Sequence, residues 1–188
     1  MLFVPSTSCV AIAIDIQNGF ILPTTAHIVP SAVCLTETLQ GLGIPVFATR
    51  FINSASSSWS RLIPWSGLMD PEEQELVTDI KLLIQSQRVL DKQSYSSFLP
   101  DVQKYVVENG VDTILIYGVS TDSCVLATTF HVFDMGLRPI VIADCTASSA
   151  TSLGSDSHES SLALIRHLAG SSQVVSKEEL INMIIPAA

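Results

Sequence analysis

Three residues of complementary chemistry, Asp15, Lys92 and Cys124, each follow closely on a short apolar run in this 188-residue chain. Asp15 closes Val10-Ala11-Ile12-Ala13-Ile14, and Lys92 follows Arg88-Val89-Leu90-Asp91. Cys124 ends the turn Gly118-Val119-Ser120-Thr121-Asp122-Ser123-Cys124, which leaves the run Thr113-Ile114-Leu115-Ile116-Tyr117. A thiol at the start of a helix suits a nucleophile, because unpaired backbone N–H groups and the helix dipole stabilise its thiolate and lower its pKa. A carboxylate can take the thiol proton and return it to a leaving amine, while a neighbouring ammonium stabilises the anions and orients the acid. Backbone N–H groups of the glycine-containing turn can form an oxyanion hole. Taken singly, the three residues read more simply as a packed thiol, a strand-end cap and a solvated lysine. Their joint placement after successive strands is what points to chemistry.

Only a fold can unite residues so far apart in the chain. Residues 10–15 read as a strand buried on both faces of a parallel sheet. Ser31 opens a helix as its N-cap, and Gly41 and Gly43 stop it. Residues 45–49 read as strand two. Residues 50–69 have no period and hold both tryptophans and a serine-rich run, which predicts a lid or substrate loop at about 50–70. Asp70-Pro71-Glu72-Glu73 starts a helix, 88–91 forms strand three, and a helix over 101–109 closes at Gly110. Strand 113–117 precedes a helix that ends at Met135 and Gly136. Strand 139–143 follows, with Asp144 and Cys145 in the turn after it, and then a helix over 157–168 and a strand over 173–175. A last helix begins at Ser176, which forms a capping box with Glu179. This alternation predicts one domain over 1–188, a three-layer α/β/α architecture with a doubly wound parallel sheet. Ligands of such sheets bind beyond the C-terminal strand ends, where Asp15, Lys92 and Cys124 lie.

Composition narrows the class. The chain is 47% hydrophobic and 14% charged, with a mean hydropathy of +0.44, so it is neither disordered nor, with apolar runs this short, membrane-spanning. A net charge of −9 argues against a nucleic-acid backbone as partner. Cys9, Cys34, Cys124 and Cys145 form no Cys-x-x-Cys pair and no zinc-like cluster, so reduced thiols are expected, with Cys9 and Cys34 as buried filler. No basic signal region opens the chain, which predicts a cytoplasmic protein. Neither a Gly-x-Gly-x-x-Gly turn nor a Gly-Lys-Ser/Thr loop is present, which disfavours nucleotide binding.

Four ordered blocks resemble those of the isochorismatase-like cysteine hydrolases, a family that includes nicotinamidases, N-carbamoylsarcosine amidase, ureidoacrylate amidohydrolase and maleamate amidohydrolase. They are Ile14-Asp15-Ile16-Gln17-Asn18-Gly19-Phe20, Lys92-Gln93-Ser94-Tyr95-Ser96-Ser97-Phe98, Gly118 to Val125, and Ala143-Asp144-Cys145-Thr146-Ala147-Ser148 followed by His158. The resemblance runs from Val10 to about Leu180. It implies a six-stranded, mainly parallel sheet and a catalytic triad of Asp15, Lys92 and Cys124. It also implies a cis peptide between Val119 and Ser120, with the Ser120 and Cys124 amides as the oxyanion hole, and a homodimer or homotetramer. The implied reaction is cofactor-free hydrolysis of a C–N bond in a small amide, carbamoyl or ureido compound through a thioester.

Departures from the family refine this expectation. Nicotinamidases of the family usually carry an Asp-x-His metal site after the second strand, where this chain reads Thr49-Arg50-Phe51-Ile52-Asn53-Ser54, so no metal is expected. The vinyl-ether hydrolases of the family lack the cysteine, so Cys124 favours amide chemistry; a vinyl-ether hydrolase and a non-catalytic binding or assembly subunit are the alternatives. Arg50 suits a substrate carboxylate, or an ion pair with one of the surplus acids. Phe20, Trp59, Trp65 and Tyr95 suit an apolar wall for a small planar substrate, and Thr121 flanks the nucleophile. His158 reads as structural.

Overall fold

Continuous apolar runs become interior strands because both faces of a parallel sheet are covered. In the computed structural model, which describes residues 3–63, 65–149 and 156–185, those runs form the centre of a six-stranded parallel sheet. The strands, in chain order, are β1 (Val4–Pro5), β2 (Cys9–Ile14), β3 (Val46–Phe51), β4 (Val89–Lys92), β5 (Thr113–Val119), β6 (Arg138–Ala147), β7 (Val174–Val175) and β8 (Ile184–Ile185). The helices are α1 (Val29–Gly41), α2 (Ser58–Leu62), α3 (Pro71–Gln74), α4 (Thr78–Leu83), α5 (Pro100–Asn109), α6 (Leu126–Asp134), α7 (Ser157–Leu168) and α8 (Lys177–Met183). The main sheet runs β4-β3-β2-β5-β6-β7, while β1 and β8 form a separate parallel pair that the sequence reading did not foresee. Among the described residues, no helix is long and apolar enough to cross a membrane.

Strand alternation makes the three layers. Val10, Ile12 and Ile14 of β2 face one way with Ile114, Ile116 and Val141, against Val102 and Val106 of α5, Val132 of α6 and Ile165 of α7. Ala11 and Ala13 face the other way with Leu115, Tyr117 and Ile140, against Leu35 and Leu39 of α1, Ile80 of α4 and Leu180 of α8. Each such Leu or Ile side chain contributes about 1.5–3 kcal/mol on burial, so these two cores decide the fold. Tyr117 is fully buried, and its hydroxyl bonds that of Thr36 at 2.6 Å.

Several boundaries differ from expectation. The first helix begins at Val29 with Pro30 in its first turn, so Ser31 lies inside it and does not cap it. Strand two continues to Phe51, and β6 runs to Ala147, which places Cys145 in a buried strand rather than a turn. Cys34 is exposed on α1, not buried. Ser176 and Glu179 form the expected capping box.

Strand order reverses between β2 and β5, and this pair opens the crevice at the C-terminal edge. Ile14 pairs with Gly118, whose φ of 119° belongs to glycine, and a Cβ at Gly118 would collide with the Ile14 carbonyl oxygen. The next residue, Asp15, has a φ of 49°, a left-handed conformation that aspartate tolerates better than most side chains. The chain therefore turns sharply at Asp15 while β5 lies tightly against it.

Candidate active site

Asp15, Lys92 and Cys124 meet at the C-terminal edge of the sheet. Lys92 ends β4 and lies two strands from β2, so its long side chain reaches past Phe51 at the end of β3, with Nζ 5.6 Å from the ring centre. Its Nζ is 2.8 Å from Asp15 Oδ2 and 3.4 Å from Cys124 Sγ, and it also donates to the carbonyl oxygens of Ser94 (2.8 Å) and Tyr95 (3.1 Å). The Asp15 and Lys92 side chains are both 0% exposed, and Cys124 is 6% exposed. An ion pair this dry persists only when its remaining donors and acceptors are satisfied.

Burial pushes the Cys124 thiol up to about 12, with the Asp15 charge adding to the shift and Lys92 opposing it. The shift is upward, which corrects the expectation that the helix start lowers this pKa. Cys124 sits in one wide helical turn, Thr121–Val125, ahead of α6. The favourable helix start does not outweigh the loss of water. For Lys92, burial acts to lower the ammonium pKa, but Asp15 and Cys124 together outweigh it and the net shift is upward.

Hydroxyl groups complete the cluster. Thr49 Oγ1 donates to Asp15 Oδ1 at 2.7 Å and lies 3.0 Å from Ser97 Oγ. The Ser97 N–H donates to Thr128 Oγ1 at 2.8 Å, and Thr128 donates to the Cys124 carbonyl at 2.6 Å. Thr49, Ser97 and Thr128 carry no motif signal. Only the pairing of Thr49 with Ile14 across β2 and β3, and the spacing of Thr128 four residues after Cys124, hint at them.

The Val119–Ser120 peptide is cis. Ser120 accepts from the Ser149 N–H and pairs with its hydroxyl at 3.0 Å. Thr121 is buried and bonds His158 Nδ1 at 2.8 Å, so His158 braces the turn that carries Cys124. Burial lowers the His158 pKa, which favours the neutral ring.

The expected aromatic residues gather, with Phe51 added to them. The Trp59 ring centre is 4.7 Å from Phe51 and 5.1 Å from Tyr95, and Trp65 stacks on Phe20 at 6.1 Å and reaches Phe51 at 5.8 Å. Asn53 ties Ser57, Trp65 and Gly67 together. Its Nδ2 donates to the carbonyls of Trp65 and Gly67, and its Oδ1 accepts from Ser57 Oγ at 2.6 Å. Gln17, also missed as a site residue, clamps both backbone groups of Phe51, donating to its carbonyl at 3.1 Å and accepting from its N–H at 2.7 Å.

Arg50 stands apart from this cluster. It donates to both oxygens of Asp91 (2.8 and 3.1 Å) and to Glu75 (2.7 Å), on the opposite face of the sheet from Thr49 and Phe51. There it lines a cavity of about 610 Å³ with Leu76, Lys81 and Asp91, away from Cys124. The ion-pair reading of Arg50 therefore holds and the substrate-carboxylate reading does not.

A buried thiol, carboxylate and ammonium thus meet at the switch point of a doubly wound sheet. The chain belongs to the isochorismatase domain family, which matches residues 9–178. It is 25% identical over 147 residues to N-carbamoylsarcosine amidase of an Arthrobacter species, a match covering 69% of this chain and 56% of that one. The chain thus spans little more than half the length of that relative. It is 26% identical over 181 residues to the secreted isochorismatase effector Isc1 of Phytophthora sojae, covering 93% of this chain and 75% of the relative. In three dimensions it is similar to a cysteine hydrolase from Pseudomonas syringae pv. phaseolicola, with a TM-score of 0.82, 23% identity, and coverage of 97% and 95%. The doubly wound, mostly parallel six-stranded sheet is the architecture of these structures.

Proposed function

We propose that the chain is a cysteine-dependent hydrolase that cleaves the C–N bond of a small uncharged amide through a thioester. The observation that carries this reading is the contact of Lys92 Nζ with both Asp15 and Cys124 inside a dry cluster. The thiol is neutral at rest, so Asp15 takes its proton as sulfur attacks the carbonyl carbon. Lys92 compensates the anion that passes from carboxylate to sulfur. The Ser120 and Cys124 amides receive the negative charge that develops on the carbonyl oxygen. Collapse of the tetrahedral species breaks the C–N bond, and the amine leaves with the proton that Asp15 had taken. Water then cleaves the thioester, with Asp15 as base, and returns the thiol.

Substrate choice follows from what surrounds the cluster. The rings of Phe20, Phe51, Trp59, Trp65 and Tyr95 begin beside Lys92 and suit a flat apolar body. Arg50 is occupied by Asp91 and Glu75, so it offers no fork to a substrate carboxylate. The relative named as an N-carbamoylsarcosine amidase supports the reaction class. The proposal includes a cytoplasmic homodimer or homotetramer that needs neither cofactor, metal, nucleic acid nor membrane; sedimentation and cell fractionation test the assembly and compartment. Ammonia release from nicotinamide, maleamate, ureidoacrylate and N-carbamoyl amino acids tests the substrate class, with the uncharged amide expected to lead. Cys124→Ala should abolish release while leaving the circular dichroism unchanged, and undiminished release in that variant would overturn the mechanism.

A further inference from the structure

The proton on each hydroxyl near Asp15 has a determined direction. The ionised carboxylate has no proton to give, so the 2.7 Å bond from Thr49 commits the threonine's only proton to Asp15 Oδ1. In the 3.0 Å contact between Thr49 and Ser97, the donor must then be Ser97. On the other side, Thr128 gives its proton to the Cys124 carbonyl and accepts from the Ser97 N–H. Ser97 thus donates in both directions, through its side chain toward the acid and through its backbone toward the nucleophile. Thr49, Ser97 and Thr128 are all 0% exposed, so water does not compete for these bonds.

We infer that Thr49 and Ser97 are positioning residues that decide which oxygen of Asp15 carries the proton, an inference that rests on the hydrolase reading above. With Oδ1 held by the Thr49 hydroxyl, the proton taken from Cys124 resides on Oδ2, the oxygen beside Lys92. That oxygen and the Cys124 sulfur share Lys92 Nζ, at 2.8 and 3.4 Å, so one proton on Oδ2 serves both half-steps without rotation of the carboxyl group. Thr128 anchors the other end of the belt, so that acid and nucleophile are held by a route independent of Lys92.

The test follows the chemistry of Cys124 itself, with iodoacetamide as the probe. Alkylation forms the S–C bond, expels iodide and sends the thiol proton to Asp15, so its rate reads the transfer. Each cysteine is followed by peptide mass near neutral pH; exposed Cys34 is the internal reference, and buried Cys145 on the opposite core reports loss of fold. Thr49→Val keeps the branched shape without the hydroxyl and should slow Cys124 alkylation about tenfold to a hundredfold, as expected for losing a bond to a charged group. Thr49→Ser should recover to within about threefold. If Thr49→Val exposes Cys145, Ser97→Ala is read instead, with a loss of about threefold to tenfold expected. A rate at or above wild type in the folded variant overturns the positioning role and leaves the hydrolase reading standing. Wild-type Cys124 that stays inert while Cys34 reacts overturns both.

Discussion

Two ion pairs sit one residue apart on β4 and belong to different worlds. Asp91 pairs with Arg50 on one face of the sheet, where their side chains are 53% and 25% exposed. Lys92, the next residue, points to the other face and pairs with Asp15 at 0% exposure on both sides. The distances are the same, 2.8 Å, so distance does not separate them. Water does. The Arg50 pair is solvated and extends through Glu75 to Lys81 as a surface network, where single pairs contribute little. In the Lys92 pair each charge depends on the other, and a thiol shares the site.

Breaking the buried pair should have the largest effect. Lys92→Met leaves Asp15 buried without its partner, a loss of about 3–5 kcal/mol in denaturant unfolding together with loss of hydrolysis. Urea curves that match wild type would show that the pair is not what holds this edge. Gly118→Ala comes next. The added methyl meets the Ile14 carbonyl, so stability should fall by at least about 1 kcal/mol and activity by more than tenfold through displaced Asp15, which calorimetry and turnover measure together.

Alkaline pH separates the two pairs more gently. The folded Cys124 thiol is held at about 12 against an ordinary 9.0, so as pH rises the unfolded chain loses that proton first. The stability this represents is complete below about pH 9 and is gone above about pH 12. Lys92, also raised, acts in the same direction, whereas Arg50 stays charged throughout. Unfolding free energy should therefore decline above pH 9, and less steeply in Cys124→Ala; equal slopes would contradict the assignment. Smallest of all, Arg50→Met should change stability by no more than about 1 kcal/mol. Turnover should stay within about threefold, and a larger loss would return Arg50 to the substrate site.

Arg50, for which the sequence left two readings open, shows where sequence reading stops. A strand ending at residue 49 leaves the next side chain free to turn toward the crevice. The strand continues to Phe51, so period-2 alternation sends Thr49 and Phe51 to the face of Asp15 and Lys92 and Arg50 away from it. The same shift explains the missed residues. Thr49 became important because β3 carries it one strand from Asp15, and Ser97 and Thr128 because a loop and a helix start meet there. Threonines and serines are common, and nothing local marks the few that converge.

Cys124 was legible as a residue but not in its state. Local chemistry at a helix start predicts a lowered thiol pKa, while the packed site raises it. Burial is a property of the whole fold, since Cys124 lies in a core assembled from β2, α5 and α7, which are distant in the chain.

The sequence by itself determined the alternation of strand and helix and pointed to Asp15, Lys92 and Cys124 as residues that meet at the C-terminal sheet edge. Those features are written in local periodicity, turn residues and motif blocks. Tertiary structure alone decided which face Arg50 takes, which hydroxyls hold Asp15, and that burial raises the thiol pKa where the helix start would lower it. Each of these depends on strand parity and on the exclusion of water, and both arise only when distant segments pack.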